Sequence, residues 1–191
     1  MELRPQDLVV VLKLLASDFT AWSYSNLGER LGMSASQVFG SVGRARAARL
    51  LDFSAILPRA RPVRVTRPSR ERLAALPRPN RNNLKEFLIH GAKYAFPVER
   101  GSETRGIPTA EAAPPLKQYF LQNFPLPPVW PCAEGSVRGI EFSPLHKNVP
   151  QATLRDPKLY ELLALVDAIR EGRAREREIA IRELGARIDA R

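Results

Sequence analysis

Cysteine and histidine are almost missing from this chain: Cys132 stands alone, and His90 and His146 are separated by 55 residues. A single cysteine excludes an internal disulfide and any multi-cysteine metal site, and it fits a reducing compartment. Neither histidine has an acidic or cysteine cluster beside it at metal-ligand spacing, so no metal is expected. Long apolar runs are missing too. The stretch from Leu8 to Ala16 is interrupted by Lys13 and follows Glu2, Arg4 and Asp7, which is wrong for a signal peptide and too short for a membrane span. No membrane partner is expected, and the expected location is cytoplasmic. The glycine-bounded Gly101-Ser102-Glu103-Thr104-Arg105-Gly106 lacks the Gly-Lys-Ser/Thr ending of a phosphate loop, and Cys132 has no basic neighbour in sequence to activate it. These absences leave no catalytic residue and no cofactor to assign, so the chain reads as a non-enzyme.

Positive charge and proline are what the chain has in excess. The formal net charge is +10, and it is unevenly placed. Residues 1–58 carry six Lys/Arg against five Asp/Glu, residues 59–85 nine against one, and residues 86–191 fifteen against fourteen. A local excess of +8 within 27 residues reads as a contact for a polyanion, the alternative being a solvated basic linker. Residues 97–157 hold eleven of the seventeen prolines, which argues for ordered loops rather than long helices or central strands. Within them, Val129-Trp130 and Ile140-Glu141-Phe142 can pair as short strands around Glu134-Gly135.

Elsewhere the periodicity predicts helices. Pro5 at a first turn opens the pattern Leu8, Val11, Leu12, Leu15, a helix with one buried face. Ser23 can cap a short helix with Leu27 and Leu31 inward, broken at Gly32. Ser34 with Gln37 forms a capping box opening a third helix, whose inward stripe is Val38, Val42 and Ala45. From Leu50 to Thr66 the pattern predicts a β-hairpin, Leu50–Phe53 against Val63–Thr66, with a basic tip at Pro58–Pro62. A helix from Ser69 to Leu76 follows, and Pro77 and Pro79 end the unit. Residues 82–96 are predicted helical with Leu84, Phe87, Leu88, Gly91 and Ala95 on one face. Asp156-Pro157 opens a helix that stops near Gly172, and another follows from Arg173 to Ile188.

Three stretches carry a resemblance: Tyr24-Ser25-Asn26-Leu27-Gly28-Glu29-Arg30-Leu31-Gly32-Met33-Ser34-Ala35-Ser36-Gln37-Val38, then Leu50-Leu51-Asp52, then Val63-Arg64-Val65-Thr66-Arg67-Pro68-Ser69-Arg70-Glu71-Arg72-Leu73. Over roughly residues 5–77 the chain resembles the winged helix-turn-helix of the MarR (multiple antibiotic resistance) type of bacterial transcription regulator. The resemblance implies a mainly α fold with a small β-wing, in two parts. Residues 1–78 would be the DNA-binding domain; residues 79–191, beyond the resemblance, read from their own composition and periodicity as a proline-rich, α-helical and loop-rich region for dimerisation or partner binding. The resemblance implies double-stranded DNA as partner and a role as repressor or autoregulator.

In that register Ser34, Ser36, Gln37, Gly40, Ser41 and Arg44 are expected to face DNA from the reading helix. Gln suits adenine edges, and Arg suits guanine or phosphate. Gly40 bare of side chain would allow close approach, whereas Gly43 could also serve packing on the first helix. Arg59, Arg61, Arg64 and Arg67 on the hairpin would follow phosphates. Reading a half-site favours a two-fold homodimer, with Leu159, Leu162, Leu163, Val166, Ile169, Leu184 and Ile188 as its interface. The same residues could instead cover the chain's own core. The competing function is a protein-binding adaptor or antitoxin-like subunit, with the winged helix structural and the C-terminal region holding a protein partner.

Overall fold

The computed structural model describes residues 2–17, 23–53, 77–120 and 125–190. The apolar run after Pro5 forms the centre of the molecule. Helix α1 (Pro5–Ala16) buries not one stripe but Leu8 through Leu12 and Leu14, because helix α3 (Ala35–Ala47) packs on one side and helix α7 (Pro157–Glu171) on another. A helix apolar on all sides is a core helix. Helix α2 (Tyr24–Leu31) starts where the Ser23 hydroxyl accepts from the Asn26 N–H at 3.1 Å, and buries Leu27 and Leu31. It ends at Gly32, whose φ of +64° is a left-handed conformation that glycine takes without steric cost.

The capping box is formed as expected. Ser34 Oγ accepts from the Gln37 N–H at 3.2 Å, Gln37 Oε1 accepts from the Ser34 N–H at 2.8 Å, and Val38, Val42 and Ala45 are buried. Helix α3 closes with a left-handed residue at Arg49 (φ 59°), and the Leu50 N–H reaches back to the Ala45 carbonyl at 2.9 Å.

Strand β1 (Leu51–Phe53) pairs antiparallel with β2 (Pro77–Pro79), with Leu51 opposite Pro79 and Phe53 opposite Pro77. The described partner of β1 is therefore the proline pair expected to end the unit. The prolines are tolerated because the Asn80 N–H donates to the Leu50 carbonyl at 2.9 Å, so Arg78 points its N–H the same way. Pro77 and Pro79 then have their nitrogens turned away from β1, where no N–H is needed. The expected strand Val63–Thr66, the tip Pro58–Pro62 and the helix Ser69–Leu76 lie outside the described residues.

The helix expected over residues 82–96 is one continuous rod: α4 (Arg81–Glu86), a π-helical turn (Phe87–Gly91) and α5 (Ala92–Ala95). The wider turn changes the register, so Leu84, Leu88 and Ala92 are buried while Ala95 is exposed. The Arg177 Nη2 donates to the Ile89 carbonyl inside this turn at 2.8 Å.

The proline-rich region is more regular than expected. Strands β3 (Arg100–Pro108), β4 (Pro128–Pro131) and β5 (Val137–Phe142) close a small barrel. The residues foreseen as strands do pair, but in parallel, Pro128 beside Ile140 and Val129 beside Glu141, with β3 antiparallel to both. Alternation is weak in β3, whose first half is exposed, and this concealed it in the sequence.

Helix α6 (Val149–Thr153), α7 and α8 (Ala174–Asp189) complete the fold. The Asp156 side chain caps α7, accepting from the Leu159 N–H at 3.0 Å. Deep in α7, Asp167 receives Trp130 Nε1 at 2.7 Å, Thr109 Oγ1 at 2.8 Å and Arg170 Nη1 at 2.7 Å. Arg170 also donates to the Phe96 carbonyl at 2.8 Å, so the pair fastens α7 to the barrel and to the end of α5 with its polar atoms satisfied.

The residues expected at a dimer interface are otherwise engaged. Leu159, Leu162, Leu163, Val166, Ile169, Leu184 and Ile188 are all at most 4% exposed within the single chain. One contiguous core joins α1, α3, α7 and α8, with no break at residue 78. The molecule is mainly helical with small sheets. Among the described residues, no helix is long and apolar enough to cross a membrane.

Candidate nucleic-acid interface

Helix α3 has two faces of opposite character. Val38, Ser41, Val42 and Ala45 are buried, whereas Ser36, Phe39, Gly43 and Ala47 are exposed and Gly40 is half-buried between them. The outward set falls at i, i+3, i+4, i+7 and i+11, a single stripe along the helix. No acidic residue occurs anywhere in α3, and Arg44 and Arg46 lie in its last turn.

Two of the residues expected to face DNA belong to the inner side. Ser41 is fully buried. Arg44 turns back to helix α1, where Nε and Nη2 grip the Asp7 carboxylate at 2.8 and 2.7 Å and Nη2 also donates to Ser41 Oγ at 3.2 Å. Asp7 is fully buried and additionally accepts the Arg4 N–H at 2.8 Å, so Arg44 neutralises a charge that would otherwise stand unpaired in the core. The Asp7 carboxylate holds the Arg44 guanidinium above its ordinary pKa. The sequence register was right. The assignment failed because position 44 lies on the flank of the helix, and a long side chain there can turn inward once a buried carboxylate awaits it.

Ser34, Ser36 and Gln37 are exposed at the N-terminal end of the helix. Gln37 Oε1 is engaged by the Ser34 N–H, so a two-bond pairing with adenine requires opening the cap. Gly43 is on the outer stripe, and a Cβ built there would meet nothing within 4 Å, so packing on α1 does not account for it. At Gly40 an added Cβ would lie 3.2 Å from Arg44 Nη1. Arg59, Arg61, Arg64 and Arg67 lie outside the described residues.

Sequence reasoning missed Phe39. It is 63% exposed in the middle of the outer stripe, with its ring edge-on to Tyr24 of α2, centroids 5.3 Å apart and planes at 81°. The signal was present in the numbering, since Phe39 follows Ser36 by three and precedes Gly43 by four. Arg49, exposed at the end of α3, is a second addition, and its guanidinium has no ion-pair partner among the described residues.

Other places offer less chemistry. A cleft of about 640 Å³ between α2 and α6 is lined by Lys13, Glu29, Arg30, Asn148, Gln151 and Asp156 among others, but Lys13 and Asp156 form an ion pair with each other. Burial and the neighbouring Glu134, at 3.3 Å, push the Cys132 thiol up, the reverse of what a nucleophile needs. Burial and Lys147 lower the pKa of His146. His90 is exposed beside Lys93 and Tyr94, whose ammonium and ring lie 4.6 Å apart. No group of three or more His, Cys, Asp or Glu among the described residues could hold a metal ion. Comparison of the chain with protein-family models, with curated proteins and with solved structures returns no match.

Proposed function

We propose that residues 1–78 form a winged helix-turn-helix domain and that the chain is a sequence-specific double-stranded DNA-binding transcription regulator, with α3 as its reading helix. The observation that carries this reading is the outer stripe of α3: capped, free of acidic residues, lined mostly by short or absent side chains, and turned to solvent beside a core-facing stripe. A major groove about 12 Å wide accepts a helix presented in this way. In this reading the basic stretch of residues 59–85, nine Lys/Arg against one acidic residue, supplies phosphate affinity. Ser34, Ser36, Gln37 and Phe39 are the base-facing set, and Arg49 with Arg59, Arg61, Arg64 and Arg67 is the phosphate-facing set. The inward faces of α7 and α8 are occupied, so two-fold pairing on DNA uses another surface.

Selection of bound duplexes from a random pool by the full chain tests the proposal. The expected result is an enriched sequence, bound in preference to a scrambled duplex, with an affinity that falls steeply with salt. Neutralising Arg59, Arg61 and Arg64 together lowers the log–log salt slope by about 0.9 for each phosphate that is no longer neutralised. Absence of enrichment, or an unchanged slope, removes the DNA reading and leaves the adaptor function in its place.

A further inference from the structure

Phe39 has no role in holding the chain together that accounts for its place. Phe39 is 63% exposed, and its aromatic neighbour Tyr24 meets the ring edge-on rather than covering it. Phe39 is also the only exposed large hydrophobic side chain in α1–α3 among the described residues, the others being Tyr94, Leu126 and Leu154. Beside it along the outer stripe stand Gly40 and Gly43, and among the described residues nothing lies within 4 Å of a Cβ built at Gly43. A rigid apolar projection thus rises from a floor of nearly bare backbone, flanked by Ser36.

We infer that Phe39 reads the C5-methyl group of thymine, with Gly40 and Gly43 letting the helix seat deeply enough for the ring to reach it. The inference rests on the proposal that α3 is the reading helix. A phenyl ring has no hydrogen-bond donor for phosphate and no partner for the polar edges of guanine, adenine or cytosine. The thymine methyl is the one apolar group that base edges present in the major groove. An edge-on ring held by Tyr24 loses little freedom on meeting it. A protein partner would instead call for a broad apolar surround, because stable interfaces bury upwards of about 1,000 Å². Apart from Tyr24, the outer stripe around the ring is serine, glycine and alanine, too little apolar surface for such an interface.

The test uses the full chain and the duplex it prefers after selection, with each thymine replaced in turn by deoxyuridine, which differs only by the methyl group. One replacement per half-site is expected to weaken the wild-type chain by about fourfold, the factor carried by burial of one methyl-sized group. Phe39→Ala is expected to bind the thymine and deoxyuridine duplexes equally while melting at the wild-type temperature. A preference for the selected sequence that no deoxyuridine replacement disturbs overturns the inference and leaves the DNA reading intact. So does a methyl dependence that survives in Phe39→Ala, because another residue then reads it. Failure to select any preferred duplex removes the DNA reading itself, a different result from either.

Discussion

Glycines serve opposite purposes in the barrel and on α3. In the barrel, a Cβ at Gly106 would stand 2.1 Å from the Trp130 carbonyl oxygen, and one at Gly135 2.2 Å from the backbone of Gly106. Those glycines are required by the fold, since three strands close on each other only where no side chain intervenes. On α3, a Cβ at Gly43 would meet nothing within 4 Å among the described residues. Glycine inside a helix costs about 1 kcal/mol relative to alanine, and here no close packing among the described residues requires it. A residue that destabilises its own helix with no internal reason points to a requirement outside the chain. The comparison therefore separates positions that build the molecule from positions that face a partner, and substitutions can break it at three points.

The largest effect is expected in the barrel. Gly106 sits where β3 pairs with both neighbours, opposite Pro131 in β4 and Val137 in β5, so neither strand can withdraw from an added methyl group. Gly106→Ala should cost more than about 3 kcal/mol, the upper range for overpacking, and move the urea midpoint well below that of the wild type. A midpoint unchanged from wild type would mean that the strands are not held this closely, and the barrel half of the comparison would fail.

The next effect divides the two sides of α3. Arg44→Ala strands the Asp7 carboxylate in the core, although the Arg4 N–H remains and Arg44, 14% exposed, leaves a space that water can partly enter. A loss of about 2–3 kcal/mol is expected by chemical denaturation, below the full penalty for a broken buried pair. Phe39→Ala, on the same helix but outside, should leave the midpoint where it was. If Arg44→Ala proves neutral while weakening DNA binding, Arg44 belongs to the outer face, as its sequence position had suggested.

Much of this architecture was legible in the sequence, and the misses share a cause. Local signals acted locally: Ser23, the Ser34/Gln37 box and Asp156 each cap the helix they were expected to cap. The periodicity of Val38, Val42 and Ala45 placed the inner stripe of α3 correctly. What failed depended on contacts far along the chain. Arg44 was drawn inward by Asp7, 37 residues away. The apolar face of α7 was closed over by the chain's own core rather than left for a second copy. The parallel pairing of β4 with β5 needed β3 to bridge them, and β3 lacks the alternation that announces a strand. Phe39 was overlooked for a different reason. Hydrogen-bonding side chains are the obvious signal of a reading helix, whereas an apolar residue on an outward stripe is informative because it is out of place.

The smallest expected effect bears most directly on what α3 is for. Gly43→Ala adds a methyl group where nothing stands within 4 Å, at a helical position without a positive φ, so no strain opposes the gain from restricting the unfolded chain. The folded protein should become more stable by about 0.5–1 kcal/mol, raising the melting temperature by roughly 1–4 °C for a domain of this size. Gly40→Ala is the internal control, because its methyl group would press on Arg44 Nη1 and give up part of the same gain. On DNA the sign should reverse: the alanine methyl of Gly43→Ala lifts the helix from the groove, and the preferred duplex is bound more weakly than by wild type. A melting temperature that falls would show that glycine is needed there for the fold, and the contrast with Gly106 would disappear. A melting temperature that rises with DNA affinity unchanged would keep α3 as a stable helix but move the reading surface elsewhere. Only a gain in stability joined to a loss of binding places the reason for Gly43 in the groove.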